Sequence, residues 1–301
     1  MRTAGLGALT KRNVKLYFKD KGMFFSSLIT PLILLVLYTT FLKNVFEDSF
    51  RGALDAAGAA VSDSIIGGCV GGQLVSSLLA VSCVTVAFCS NLLMVQDKIN
   101  GARRDFCVSP VRRSTLAAAY FSSSSLSTLI ITFTALGVCL LYQLKKGWYL
   151  SGTDVMMLAL DVFLLTLFGV ALSSCINFFL STNGQSSAVG TIVSAGYGFV
   201  CGAYMPISSF SPALQKILSF LPGTYATSLI RNHAMRGAFS AMEDAGFPPE
   251  AMKTIRDAFD CNLYFFEKSV SEGAMFAVLG GSTAVLVLVY ILLNILSKKE
   301  S

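Results

Sequence analysis

Residues 65–95 read IIGGCVGGQLVSSLLAVSCVTVAFCSNLLMV, an uninterrupted stretch without a charged side chain. A bilayer core of about 30 Å is crossed by a helix of about 20 apolar residues, so this stretch is long enough to span a membrane with some tilt. Gly67, Gly68, Gly71 and Gly72 leave one part of it without bulky side chains, which favours close contact with another helix. The stretch therefore predicts a transmembrane helix that packs against neighbours.

The whole chain has the composition of a membrane protein. Hydrophobic residues make up 54% of its 301 residues, charged residues only 13%, and the mean hydropathy is +0.66. A soluble domain typically carries about 25% charged residues, which it needs to cover its surface. The apolar excess must face lipid, so a soluble enzyme or soluble binding domain is excluded.

Five further stretches are long and apolar enough to cross a bilayer. With 65–95, they predict an all-α membrane protein with six transmembrane helices in one domain over residues 1–301. Unpaired backbone groups cannot face hydrocarbon, so each crossing must be helical. The other predicted spans are 23–42, 115–142, 155–180, 186–205 and 273–296.

The distribution of basic residues predicts the orientation. If the N-terminus is inside, the inner segments 1–22, 96–114 and 297–301 hold 13 of the 23 Lys and Arg but only 4 of the 17 acidic residues. This matches the positive-inside pattern, so we expect a multi-pass protein of the cell membrane with both termini cytoplasmic. The same pattern accounts for the net charge of +6 without a nucleic-acid partner.

Residues 5–21 have the pattern of an amphipathic helix lying in the headgroup plane of the membrane. The basic residues repeat every four positions, whereas most of the apolar ones fall on another face. A plain basic anchor for the first span is the alternative. The basic residues are Lys11, Arg12, Lys15 and Lys19, and the apolar ones are Leu6, Leu9, Leu16 and Tyr17.

The loop after the second span reads QDKINGARRDFCVSPVRRS over residues 96–114. A charged helix followed by a Ser-Pro turn and a second basic pair would make a stiff polar element that ends where the next span starts. Such an element could transmit movement to the membrane helices. A simple positively charged loop is the alternative.

Residues 206–272 form the predicted external segment. Ser211 and Pro212 have the pattern of an N-cap and a first helical position, and Pro222-Gly223 ends the short helix that follows. A second apolar run covers 224–230, and Pro249 begins another short helix. We expect a small lid that is partly sunk in the outer leaflet.

No catalytic or metal site is indicated. The sequence contains no phosphate-binding loop, no CxxC pair, and six of its eight cysteines lie within apolar stretches. Asp161 is the sole acid well inside a predicted span, and we favour an interhelix hydrogen-bonding role over a site for a cationic substrate. His233, the one histidine, is expected to be an exposed surface contact near the outer face.

Several degenerate motifs, taken in order, resemble the permease of type-2 ABC exporters, the family of drug, polysaccharide and antibiotic-resistance exporters. They extend over nearly the whole chain and keep their spacing relative to six spans. They are the basic helix 10–21 leading into a span with Pro31, the Asn-Gly-x-Arg-Arg to Ser-Pro-Val-Arg-Arg loop, and the passage from Met205-Pro206 to Leu221-Pro222-Gly223-Thr224-Tyr225.

The resemblance implies that 96–106 is a coupling helix that docks on a separate ABC ATPase subunit, which would bind ATP and Mg²⁺ while this chain holds no cofactor. It also implies re-entrant helices within 206–230 and a substrate path between two permeases, identical or homologous, lined by the second and fifth spans. The coupling candidates are Asp97, Asn100, Gly101, Arg103, Arg104 and Asp105.

Other candidate residues lie on or near the predicted fifth span and the segment after it. An amphipathic substrate could stack on the aromatic residues there, with ordinary aromatic packing as the alternative. The substrate-path candidates are Ser194, Tyr197, Phe199 and Met205, and the external-gate candidates are Pro206, Pro222 and Tyr225.

The function implied by the resemblance is export of an amphipathic drug-like, lipid-linked or peptide substrate by alternating access, as in multidrug efflux, without chemistry on the substrate. One alternative is an ion-coupled secondary carrier, although the two halves of the chain show no clear symmetry. The other is a membrane sensor or assembly protein that transports nothing.

Overall fold

The computed structural model describes residues 3–56, 61–109, 111–266 and 268–296, and nearly all regular structure in them is helical. Helices α1 to α12 are Thr3–Lys19, Lys21–Leu37, Lys43–Ala56, Asp63–Ile99, Ala102–Val108, Arg113–Lys146, Gly152–Phe179, Asn183–Val200, Pro212–Leu218, Pro222–Asp244, Pro249–Ala258 and Glu272–Leu296. A π-helical turn, Tyr38–Leu42, joins α2 to α3, and a 3₁₀ turn covers Ile207–Ser209. The antiparallel strands β1 (Tyr264–Phe265) and β2 (Lys268–Ser269) form a small hairpin.

Helix α4 is the centre of the bundle. It packs against α2, α6, α7, α8 and α10, and nearly every residue from Gly68 to Asp97 is buried. Its glycines make the close contacts that the sequence predicts. A Cβ on Gly72 would lie 2.7 Å from the carbonyl oxygen of Ala234, and one on Gly68 would lie 2.7 Å from the ring of Tyr149.

Five helical segments are long and apolar enough to cross a membrane, as counted over the described residues. They confirm a multi-pass, all-α protein and agree with five of the six predicted spans. They are Lys21–Gly52, Asp63–Ile99, Arg113–Lys146, Gly152–Phe179 and Glu272–Leu296.

The remaining predicted span, 186–205, corresponds to α8, which ends earlier than expected, at Val200. Its 18 residues extend over about 27 Å, and its first turn is polar because it contains Asn183 and Gln185. It is not one of the five segments, so the count of six spans stays a prediction.

The chain between α8 and α12 differs from the predicted lid. Helix α10 is continuous from Pro222 to Asp244 and packs against α4, α7 and α12, so it is inserted among the long helices. The predicted short helix is α9, with Pro212 at its first position, and Pro249 begins α11 as expected. Helix α10 has little average hydrophobicity, which is why its burial was not apparent from the sequence.

Helix α1 confirms the predicted amphipathic pattern. Lys11, Lys15 and Lys19 are exposed, whereas Tyr17 is buried and its hydroxyl donates a 2.7 Å hydrogen bond to Ser27 Oγ on α2. The helix ends at Lys19, and Asp20 then caps α2 through the backbone N–H of Met23. Helix α1 packs along α6.

At the end of the bundle away from α5, α10 passes so close to the turn before α7 that only glycine fits. A Cβ on Gly237 would collide with the carbonyl oxygen of Tyr149. We predict that Gly237→Ala destabilises the protein by about 1–3 kcal/mol, the usual cost of overpacking. Thermal unfolding of the detergent-solubilised protein, followed by size-exclusion chromatography, measures the change.

Gly280→Ala is the matched control, since Gly280 lies in the middle of α12 with open space around its Cα. Alanine favours helix over glycine, so this variant should be as stable as the parent or more stable. Equal melting temperatures for the two variants would show that α10 does not approach the turn at Tyr149.

Candidate functional site

The junction of α4 and α5 forms one end of the bundle, called here the α5 end. Helix α4 continues to Ile99, and Gly101 then adopts a left-handed backbone conformation with φ of +79°, which lets the chain turn before α5 begins at Ala102. The expectation of one coupling helix over 96–106 is therefore wrong at its start. Gln96 and Asp97 belong to the end of the long central helix.

Asp97 is buried in a network that joins three helices. Its carboxylate accepts hydrogen bonds of 2.7 and 3.2 Å from the guanidinium of Arg12 on α1, and a third, 2.7 Å long, from the hydroxyl of Tyr120 on α6. The bond to Asp97 raises the pKa of Arg12 above its already high usual value. The contact fixes α1 and α6 to the end of α4.

Contacts between basic and aromatic side chains attach helix α5 to the bundle. The guanidinium of Arg12 lies 5.0 Å from the ring centre of Phe106, and that of Arg103 lies 5.9 Å from the ring centre of Phe178 at the end of α7. Lys98 Nζ donates to the carbonyl oxygens of Asn177 and Leu180 at 3.1 and 3.0 Å. A displacement of α5 would therefore act on α1, α4 and α7 together.

The outer surface of this junction is exposed and mixed in character. Asn100, Arg104 and Asp105 are exposed, and the side chain of Val108 is 89% exposed. This surface therefore combines polar and charged groups with one almost fully exposed aliphatic side chain. Of the predicted coupling residues, Asn100, Arg104 and Asp105 lie on this surface. Gly101 forms the turn, Arg103 is half-buried and Asp97 is buried.

A cleft of about 770 Å³ lies between α2, α4 and α8. It starts at Gln96 and Asn183 near the α5 end and reaches Tyr204 at its other end. Hydroxyl groups and aliphatic side chains line most of it, and none of the described residues that line it is charged. The serine and threonine residues are Ser26, Thr30, Ser186, Ser187, Thr191 and Ser194, and Tyr204 adds a phenolic hydroxyl.

The structure separates the four predicted substrate-path residues. Ser194 lines the cleft, and the exposed Phe199 packs edge-on against Tyr204, with ring centres 5.0 Å apart. Tyr197 instead packs against α10, where a Cβ on Gly223 would lie 2.5 Å from its hydroxyl oxygen. Met205 is half-buried and does not line the cleft.

A buried arginine holds the passage after α8 in place. Arg231 on α10 donates 2.8 Å hydrogen bonds to the carbonyl oxygens of Gly202 and Phe259, and it pairs with Asp260 at 3.5 Å. The Asp260 carboxylate accepts hydrogen bonds from the backbone of Ile207 and Ser208. Burial nevertheless raises the pKa of Asp260 above its ordinary value, against the opposing effect of Arg231.

The predicted gate residues frame this passage. Pro206 precedes the 3₁₀ turn, and Pro222 is the first residue of α10. Tyr225 is buried, and its hydroxyl donates to the carbonyl oxygen of Ser219 at the end of α9. The three residues shape the turn between α8 and α10.

The expectation that His233 is exposed is wrong. Its side chain is 0% exposed, and Nδ1 lies 2.5 Å from Asp161 Oδ2 on α7. Nε2 lies 3.8 Å from Glu272 on α12, which also binds Arg236 at 2.9 Å. The geometry agrees with the interhelix role favoured for Asp161. Sequence reasoning missed it because a histidine beside two arginines has the pattern of a surface.

These features define a class before any comparison is made: a multi-pass helical membrane protein with an exposed, partly charged surface at one end and, beside its central helix, a cleft without charged side chains among the described residues. The family model of ABC-2 type transporters matches residues 4–234. The chain therefore belongs to the ABC-2 type transporter family, whose membrane domains are transport subunits that usually work with an ATPase subunit. No curated protein matches the chain significantly.

We predict that His233→Leu and Asp161→Leu each destabilise the protein, because each leaves a buried polar partner unsatisfied at a cost of about 1–3 kcal/mol. The double variant His233→Leu/Asp161→Leu should lose less than the two single losses combined, because no unpaired group remains. Melting temperatures of the four proteins in detergent measure the coupling. Strict additivity would contradict the buried pair.

Proposed function

We propose that this chain is the permease subunit of an ATP-driven exporter, with the α5 end and both termini in the cytoplasm and α8 as the sixth crossing. The whole of 1–301 then forms one permease domain. The family supports transport, and the excess of basic residues in 1–22 and 96–114 supports this orientation. Placed this way, the exposed surface with Arg104 and Val108 is accessible to a cytoplasmic ATPase.

The observation that carries the proposal is the attachment of α5. Arg104, Asp105, Asn100 and Val108 offer a free surface, while Arg103 and Phe106 on the same short helix bind the bundle. A partner that moves this surface would displace α4 through the turn at Gly101. In this proposal Asp97 is a positioning residue that transmits the movement to α1 and α6, and it does not contact the ATPase.

We propose the cleft between α2, α4 and α8 as this chain's half of the substrate path. Its lining of hydroxyl and aliphatic groups without charges suits an amphipathic substrate that carries hydrogen-bonding groups. Helix α8 has only one buried residue, Gly198, so most of its surface is available to a second permease copy or a homologous permease. The path would then lie between two chains.

The outer end of the path is proposed to close at the passage from Pro206 to Tyr225. Arg231 and Asp260 hold that passage against α10. Tyr204, just before the passage, lines the adjoining end of the cleft. Alternating access requires the two ends to open in turn. A shift of α4 relative to α10 would change the packing at Gly72 and Ala234, which is where the two helices are closest.

We predict that Arg104→Glu abolishes copurification of an ATPase that contains a phosphate-binding loop, and with it ATP-dependent export. A like-charge or mismatched contact at an interface costs several kcal/mol, so binding should fall by tenfold or more. The tagged full-length chain is purified in mild detergent from its own cells, and bound ATPase and ATP hydrolysis are measured.

Two further variants separate loss of ATPase binding from loss of coupling. Lys253→Glu reverses an exposed charge on α11, at the opposite end, and should leave ATPase binding unchanged. Asp97→Asn should retain the ATPase but weaken the coupling of hydrolysis to export, since it removes the negative charge that pairs with Arg12 and weakens the network of Arg12 and Tyr120. The proposal is wrong if the parent chain never copurifies with such an ATPase, or if the chain alone drives transport on an ion gradient.

The orientation has its own test. Glu243 lies near the end of α10, at the end of the bundle opposite α5, and is exposed. A Glu243→Cys variant on a background without other reactive thiols should be labelled by a membrane-impermeant maleimide added to intact cells. An Asn100→Cys variant should be labelled only after the membrane is permeabilised, and the reverse pattern would place the α5 end outside.

A further inference from the structure

A groove of about 600 Å³ runs between α1 and α6, on the side of α1 away from Asp97. Leu6 and Val14 form its apolar wall on α1, and Lys11 and Lys15 stand at its edge. Ser122 and Leu126 supply the opposite wall from α6, and the Leu126 side chain is 49% exposed. The groove thus combines a basic edge with an apolar interior.

The positive charge of Lys11 and Lys15 suits the binding of an anion. Lys11 and Lys15 are one helical turn apart on the same face, so their ammonium groups can reach one phosphate group together. Among the described residues, no acidic one lines the groove, and neither lysine forms an ion pair. Arg12, by contrast, is directed towards Asp97 and is already paired.

The groove extends along α6 over a distance that suits a lipid headgroup and the start of an acyl chain. Helix α6 is one of the five candidate spans and starts at Arg113, so Ser122 and Leu126 lie about 14 and 20 Å along its axis. A groove that begins at the lysines of a helix in the headgroup plane and ends at this depth crosses from the polar region into hydrocarbon. Its volume is in the range of ligand-binding pockets.

We propose that this groove binds an anionic glycerophospholipid, with its phosphate between Lys11 and Lys15 and an acyl chain along Leu6, Val14 and Leu126. The inference rests on the proposed placement of α1 at the cytoplasmic membrane surface. It does not depend on ATP-driven export. A zwitterionic lipid fits the apolar walls equally well but gains less from the two lysines, because its headgroup carries a compensating positive charge.

The bound lipid would fix α1 against α6. Helix α1 also carries Arg12, so the lipid would hold in place the guanidinium that binds Asp97 and lies over Phe106. Helix α1 thus contacts the groove with one face and the α5 junction with the opposite face. An anionic lipid should therefore raise the stability of the α1 end of the bundle by mass action.

The test uses the purified full-length chain in detergent, titrated with phosphatidylglycerol or phosphatidylcholine. Native mass spectrometry counts bound lipid, and the melting temperature reports stabilisation. Phosphatidylglycerol should bind with at least tenfold higher affinity than phosphatidylcholine. Lys11→Gln/Lys15→Gln should reduce that affinity about thirtyfold, whereas Lys11→Arg/Lys15→Arg should retain it.

Two further variants separate the groove from general electrostatic attraction. Lys145→Gln/Lys146→Gln removes the same charge from exposed positions at the other end of α6 and should leave binding unchanged. Leu126→Trp should fill the apolar wall and weaken binding with both lysines present. Equal binding of the two lipids overturns the proposal, as does equal loss in the two glutamine pairs or full binding by Leu126→Trp. No ATPase or transport is involved, so these outcomes leave the exporter proposal untouched.

Discussion

The structure depends on the burial of α4. A helix surrounded by other helices must offer surfaces that let several backbones approach, and it must satisfy its own polar side chains without water. Glycines meet the first need at Gly68 and Gly72, and Gly169 on α7 does the same from the other side, where an added Cβ would lie 3.0 Å from the carbonyl oxygen of Cys83. Neighbouring hydroxyls meet the second need, because Asn91 donates to Ser173 and Ser174 at 3.0 and 2.7 Å.

A helix buried in this way is also long enough to connect distant parts of the molecule. Its 37 residues extend about 55 Å, and about 43 Å of that length separates the contact with α10 at Gly72 from the turn at Gly101. Close packing makes such an element move as a unit, so a force applied at one end cannot be absorbed locally. In the proposed exporter, this property converts contact at α5 into a change at the opposite end, where α10 and Ala234 lie.

The sequence predicted the features that depend on local pattern. Long apolar runs identified five membrane helices, the spacing of Lys11 and Lys15 identified the amphipathic face of α1, and Gly67 to Gly72 identified a close contact. It failed where a residue's state depends on a partner far along the chain. Asp97 pairs with Arg12, 85 residues away, and Asp161 with His233, 72 residues away. A polar side chain has the pattern of a surface until its partner is known, so Asp97 and His233 were expected at exposed positions, whereas for Asp161 the interhelix role was predicted without its partner.

The polar contacts are unevenly placed, and this indicates which helices can move. Polar contacts hold the two ends of the bundle: Arg12 with Asp97 at the α5 end, and Arg231 with Asp260 and His233 with Asp161 at the other. Breaking any of them would leave a polar or charged group without its partner in a largely buried site, which is costly. Helix α8 has no comparable ionic contact among the described residues, and it borders the cleft with α2. Rearrangement is therefore least costly at α2 and α8, the two helices that line the proposed path, because it leaves these three contacts intact.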